Sequence, residues 1–200
     1  MSKSPFASRT YTIALCGLSM SLLAVASWIT VPLGPVPFTL QTFMLVFIVL
    51  ALAPHQAVIA VLGYLALGAI GAPVFAGMSG GLAQIMGPSG GFLIGFGLGT
   101  VLAALLLRAW PAPADSASAT KRTSRLRDLC AALIVLAASY LCGWLQFMVV
   151  LNVSPLEAFV MAIAPFIVLD LIKAVLAVSM ARTLKAAVPA LRNAANKPRA

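Results

Sequence analysis

Residues 11–31 contain no charged side chain. Uncharged apolar runs return at residues 40–53, 57–70, 92–107 and 129–151, and a last, largely apolar run at 165–184 carries three charges. Such runs constrain the fold strongly. Their side chains call for an apolar solvent, and in that solvent the backbone must satisfy its own N–H and C=O groups. A helix of about 20 residues meets both demands across a bilayer. Composition agrees, since the 200 residues are 62% hydrophobic and only 8% charged, against roughly 25% charged in soluble domains. So few charges cannot cover a water-facing surface. Length, less tails and loops, leaves room for roughly six spans. The sequence therefore predicts an all-α integral membrane protein, a compact bundle of six transmembrane helices. Residues 1–186 are expected to form one transmembrane domain and residues 187–200 a basic tail.

The charges orient that bundle. The net charge of +9 invites a nucleic-acid reading, but the basic residues lie between and beyond the apolar runs rather than in a stripe on a soluble face. Lys3 and Arg9 precede the first run. Arg108, Lys121, Arg122, Arg125 and Arg127 surround the polar linker at 108–128, and Arg182, Lys185, Arg192, Lys197 and Arg199 follow the last run. With six spans these three regions fall on one side. The opposite loops, near 32–39, 71–91 and 152–157, hold no Lys or Arg. Positive loops stay cytoplasmic, so both termini are expected inside. The first run ends Ala24-Val25-Ala26-Ser27 and mimics a cleavable signal. The charge pattern needs it retained as a span.

Two loops stand out. Residues 32–37 carry three prolines. Residues 71–91, GAPVFAGMSGGLAQIMGPSGG, are too rich in glycine and proline for an ordinary helix and too apolar for an ordinary solvated loop. A segment of this type folds back over a bundle, where protein surrounds its backbone. Gly91, Gly95 and Gly99 repeat at intervals of four and predict close approach of another helix. Pro165 interrupts the last apolar stretch, which predicts a short outer helix over 155–164 before the sixth span.

The thirteenth basic residue breaks the pattern. Lys173 lies inside the sixth span, three residues after Asp170. Residues at this spacing share a helix face. A charge at mid-membrane costs about 2.5–3.5 kcal/mol even on the lenient insertion scale. Two therefore need a reason: an ion pair fixing helix packing, or a polar foothold for a ligand. The uncharged loops bring Thr39, Gln41, Ser79, Gln84 and Asn152 to the same side, where each is singly explained as a cap or turn residue. Trp28, Tyr140 and Trp144 read as interfacial anchors, and Tyr140 and Trp144, one turn apart, also as pocket walls.

Catalytic signatures are missing. No Gly-Lys-Ser/Thr follows the glycine-rich stretch, so the lysine of a phosphate-binding loop is absent. The single histidine, His55, stands in a turn, and Cys16, Cys130 and Cys142 sit in apolar runs as packing residues. The chain is not read as an enzyme, and no cofactor is expected.

The segments GPVPFTLQT (34–42), GAIGAPVFAG (68–77), SGG (79–81) with GPSGG (87–91), and DLIK (170–173) resemble the BioY family, the biotin-binding S components of energy-coupling factor (ECF) transporters. The resemblance runs from about residue 10 to 185, with the four motifs in the family's order. It implies six helices with cytoplasmic termini in a prokaryotic cytoplasmic membrane. It implies high-affinity capture of biotin near the outer surface, and partners in a transmembrane T component and ATP-binding subunits. Carried onto this sequence, the binding residues are Asp170, Lys173, Ser79, Gly80, Gly81, Gln41 and Thr39, with Trp144 as a wall. Asp170 is the natural acceptor for a ureido N–H of biotin. Ser79 stands where the family places a polar ligand-contacting residue, sometimes asparagine, and Phe92 where it often places tyrosine. Gly17 and Ser21 on the first helix follow the family's small-residue docking pattern loosely. Other readings are a self-sufficient biotin transporter acting as a homo-oligomer, and a structural membrane subunit with Asp170 and Lys173 as interhelical glue.

Overall fold

The computed structural model describes residues 5–32, 34–111 and 118–188. Lys3, the centre of the polar linker and nearly all of the basic tail at 187–200 lie outside these described residues.

The chain opens with α1 (Pro5–Trp28), whose apolar length carries it straight through to the proline-rich turn. That turn is a small hairpin. β1 (Thr30–Val31) pairs antiparallel with β2 (Phe38–Thr39), Thr30 opposite Thr39 and Val31 opposite Phe38. Then comes α2 (Gln41–Ala51), whose last seven residues are all buried. A helix that is apolar all round belongs inside protein or lipid. At 1.5 Å per residue, α2 covers about 16 Å, half of a hydrocarbon core. Pro54 then starts α3 (Pro54–Ala69) at the helix position where a missing N–H does no harm. Gln56 Oε1 accepts the Ala53 N–H at 3.3 Å and closes the reversal.

Residues 71–91 fold back on the bundle as expected. They form one turn of 3₁₀ helix (Ala76–Met78) and the short α4 (Leu82–Met86). Side chains from three helices pin this path. Trp28 Nε1 donates to the Pro73 carbonyl at 2.9 Å, and the Tyr64 hydroxyl to Val74 at 2.8 Å. Gln146 Nε2 donates to Ile85 at 2.7 Å and to Gly87 at 2.8 Å. Gly81 holds a φ of +94°, which favours glycine, and its N–H donates to Gly68 at 2.7 Å.

The glycine repeat lies on α5 (Gly90–Ala109), and α6 (Ser118–Leu151) is the helix it admits. A Cβ on Gly95 would stand 2.5 Å from Ser139 Cα, and one on Gly99 2.9 Å from Val135 Cα. Helix α6 begins far earlier than the apolar run: residues 118–128, read from sequence as linker, are its first turns. Asp128 gives that extension a reason to stay packed. Its Oδ1 accepts Arg127 at 2.7 Å and its Oδ2 accepts Arg182 of the last helix at 2.9 Å.

Asn152 ends α6 at a φ of 51°, a left-handed cap that asparagine tolerates. Ser154 and Glu157 then form a reciprocal cap on α7 (Pro155–Ala162), followed by α8 (Ile167–Ala187). The two helices meet at a bend of 50° around the Pro165 break. Helices α6 and α8 run antiparallel, since Tyr140 meets Asp170 at one end and Asp128 meets Arg182 at the other.

By length and apolar content three helices can cross a membrane, within Arg9–Trp28, Gly90–Ala109 and Thr123–Leu151, and a fourth if the bent α7–α8 pair is one span. The apolar helices α2 and α3 are shorter. One large apolar cluster runs from Leu23 on α1 through Leu45–Leu52, Val61, Phe96 and Val135 to Ala181 on α8. A second, smaller cluster of Val36, Phe147, Ala158, Ala162 and Phe166 lies under the first hairpin.

Candidate functional site

Between these two clusters lies a cavity with an empty volume of about 700 Å³, its mouth included. Six segments meet there. The first hairpin contributes Val36–Thr39, α2 contributes Gln41 and Thr42, and the folded-back loop contributes Phe75, Ala76, Gln84 and Ser89. From the helices come Phe92, Leu93 and Phe96 of α5, Leu136, Ser139 and Tyr140 of α6, and Ala162, Phe166, Asp170 and Lys173 of the last stretch.

Its walls are aromatic. Phe38 stacks on Phe166 with centroids 6.3 Å apart, and Phe92 meets Tyr140 edge-on at 6.4 Å. Its polar groups converge on one carboxylate. Asp170 Oδ1 accepts Lys173 Nζ at 2.9 Å and the Thr42 hydroxyl at 3.1 Å, and Oδ2 accepts the Tyr140 hydroxyl at 2.7 Å. Both charged side chains are only 9% exposed. Lys173 also donates to the Thr39 carbonyl at 2.6 Å and sits 3.6 Å from the Phe38 ring centroid. A desolvated ammonium gains from both contacts. The charge pair thus joins α8 to α2, α6 and the hairpin at once.

Gln41 forms a second polar chain. Its Nε2 donates to the Tyr64 hydroxyl at 2.9 Å, and that hydroxyl donates on to Val74. Beside it, Thr39 Oγ1 accepts the Gln41 N–H at 3.2 Å.

Of the residues singled out from sequence, Asp170, Lys173, Gln41, Thr39, Gln84 and Tyr140 line the cavity together. Ser79, Gly80, Gly81 and Trp144 are not among its lining residues. Ser79 Oγ donates to Ala76 at 2.8 Å and closes its own loop. Gly80 has its Cα side pressed on the Ala72 carbonyl, and Gly81 turns the chain into α4. Trp144 Nε1 donates to Pro155 at 3.0 Å, which ties α6 to α7 behind the cavity. Three polar lining residues carry little signal in the sequence. Thr42 closes a quoted motif, Ser139 precedes Tyr140 in an apolar run, and Ser89 lies in the glycine-rich stretch. The described residues hold no group of three or more His, Cys, Asp or Glu side chains suited to a metal ion.

An apolar, aromatic cavity of this size with a few fixed polar groups on one side suits a small planar molecule with heteroatoms.

The profile of the BioY family matches residues 1–190. The chain belongs to the BioY family. Two BioY relatives align over most of their length. A probable biotin transporter BioY of Pyrococcus horikoshii is 36% identical over 86% of this chain and 95% of its own. The biotin transporter BioY of Thermotoga maritima is 36% identical over 84% of this chain and 92% of its own. Among solved structures, a crystal structure of the S-component for biotin from an ECF-type ABC transporter superposes with a TM-score of 0.79. It is 25% identical and the match covers 93% of this chain and 95% of that one. BioY proteins are transporters rather than enzymes, in keeping with the missing catalytic signatures.

Proposed function

We propose that this chain captures biotin for uptake, as the substrate-binding S component of an ECF-type transporter. The observation that carries the reading is the buried Asp170–Lys173 pair opening into an aromatic cavity, in a chain of the BioY family. A charge pair at membrane depth is functional by default. Biotin's ureido ring offers two N–H donors and one acceptor, which suits a wall holding a carboxylate, an ammonium, Gln41 and Thr39. Its fused rings suit the faces of Phe38, Phe92 and Phe166. The remaining residues expected from sequence, Ser79, Gly80, Gly81 and Trp144, support the cavity by shaping its loop and outer helix.

In this reading the bundle crosses the membrane six times, with α2 and α3 completing the set and both termini in the cytoplasm of a prokaryote. The cytoplasmic-membrane partners are a T component and a pair of ATP-binding subunits, since the chain carries no phosphate-binding loop of its own.

The test is a biotin titration of the purified chain beside Asp170→Asn and Lys173→Ala. Saturable binding by the wild type is expected, with at least a tenfold loss in each folded variant, about 1.4 kcal/mol. No saturable binding by folded wild type refutes the capture reading. A second reading draws on one observation: both Asp170 oxygens already accept bonds from the protein. The pair then serves as interhelical glue, and folded variants that bind biotin undiminished would favour it.

A further inference from the structure

The Asp128 cluster lies at the other end of the α6–α8 pair. It is separated from the Tyr140–Asp170 contact by twelve residues along each helix, about 18 Å. Beside it a groove runs between the two helices, with an empty volume of about 770 Å³ counting its open side. Its lining combines two chemistries. Leu129, Val175 and Val178 form an apolar floor, while Arg125, Arg182, Ser179 and Thr183 form a polar rim.

The charge at this rim is unbalanced. Asp128 is the only acidic side chain in the cluster, and Arg127 and Arg182 both bind it. Arg127 is buried and spends its Nε and one terminal nitrogen on that carboxylate. Arg182 spends Nη1 on Asp128 and Ser124, which leaves Nε and Nη2 for another acceptor. Arg125 is exposed and makes no ion pair with another described residue. Lys185 lies within electrostatic reach of all three members of the cluster. Two arginines thus share one carboxylate, and Arg125 adds a further positive charge at the rim.

We propose that this groove binds an anionic phospholipid, its phosphate on Arg125 and Arg182 and the start of an acyl chain on Leu129, Val175 and Val178. Guanidinium groups match a phosphate with paired N–H donors. Basic pockets between helices at the positive end of a membrane protein recognise anionic headgroups. The apolar floor continues directly from the rim, and Val175, at 54% exposure, faces outward where lipid would lie. A soluble anion would use the rim alone, whereas a phospholipid uses rim and floor together.

The test uses the full chain in detergent, measured by native mass spectrometry and by thermal unfolding. It compares added phosphatidylglycerol, phosphatidylcholine and inorganic phosphate. One retained phosphatidylglycerol and a raised unfolding midpoint are expected, with neither from the other two additives. Arg125→Gln should lower phosphatidylglycerol retention about fivefold, with the biotin titration unchanged. Equal retention of both lipids overturns the proposal, as does an Arg125→Gln variant that retains phosphatidylglycerol like wild type. A midpoint raised equally by inorganic phosphate assigns the rim to a soluble anion instead. No lipid response, together with binding of a polyglutamate peptide, assigns it to an acidic protein partner. Because the readout is lipid retention, failure here leaves the biotin reading standing.

Discussion

The Asp170–Lys173 pair permits a quantitative test of what holds the site together. Its two charges are 2.9 Å apart and 9% exposed. Lys173→Met removes the ammonium, strands a buried carboxylate and leaves the Thr39 carbonyl without its donor. Breaking one side of a buried pair costs about 3–5 kcal/mol. Asp170→Asn leaves the ammonium with one carbonyl and the Phe38 face, and should cost a similar amount. The double substitution D170N/K173M strands no charge. Thr42 and Tyr140 keep a polar partner at 170, and the chief loss is the Thr39 bond, about 1–3 kcal/mol. The double variant should therefore be more stable than either single variant, with a coupling energy of about 2 kcal/mol or more. Equilibrium unfolding in mixed detergent micelles measures all four corners of the cycle. Losses that add within about 0.5 kcal/mol would refute the reasoning, as would a double variant less stable than both singles.

Two other substitutions probe the scaffold. Gly95→Leu places its Cβ 2.5 Å from the Ser139 backbone, which cannot yield as a side-chain tip would, so a loss of at least about 1–3 kcal/mol is expected. Gly17→Ala is the control, because its Cβ meets nothing within 4 Å, and its unfolding midpoint should equal or slightly exceed that of wild type, by up to about 1 kcal/mol of helix propensity. Thr100 Oγ1 is buried without a hydrogen-bond partner among the described residues. Thr100→Val should raise stability by about 1 kcal/mol with biotin binding unchanged, and a midpoint that falls would mean that the hydroxyl has a partner.

The Asp170–Lys173 pair was legible in the sequence because both partners lie three residues apart on one helix, where spacing alone fixes a shared face. The close approach of α5 and another helix was legible for the same reason, from three glycines at intervals of four. Tyr140 was legible as a pocket wall, but the bonds that complete the site were not. Tyr140 and Thr42 reach Asp170 from 30 and 128 residues away, and no local pattern encodes which distant hydroxyl will turn towards a carboxylate. The first turns of α6 were hidden by their polarity. Residues 118–128 lack an apolar run, and their helix is held partly by Asp128 between two arginines, one of them 54 residues away. The folded-back loop showed its unusual composition but not its path. That path depends on Trp28, Tyr64 and Gln146, each from a different helix.

The shortness of α2 bears on how cargo can leave. The cavity sits at the first turn of that helix, and beneath it Leu45–Leu52 are buried without a gap. Below them the chain reverses at Ala53, also buried, and the half-buried Pro54. Among the described residues the cavity thus resembles a cup, with a buried layer of α2 as its base. A tunnel to the opposite face would have to part this buried layer and break the α2–α3 reversal. Rotating the whole cup, as the resemblance to ECF S components implies, disturbs none of those contacts. Cargo that enters over the rim is expected to leave over the same rim, so the direction of transport becomes a matter of which way the protein faces.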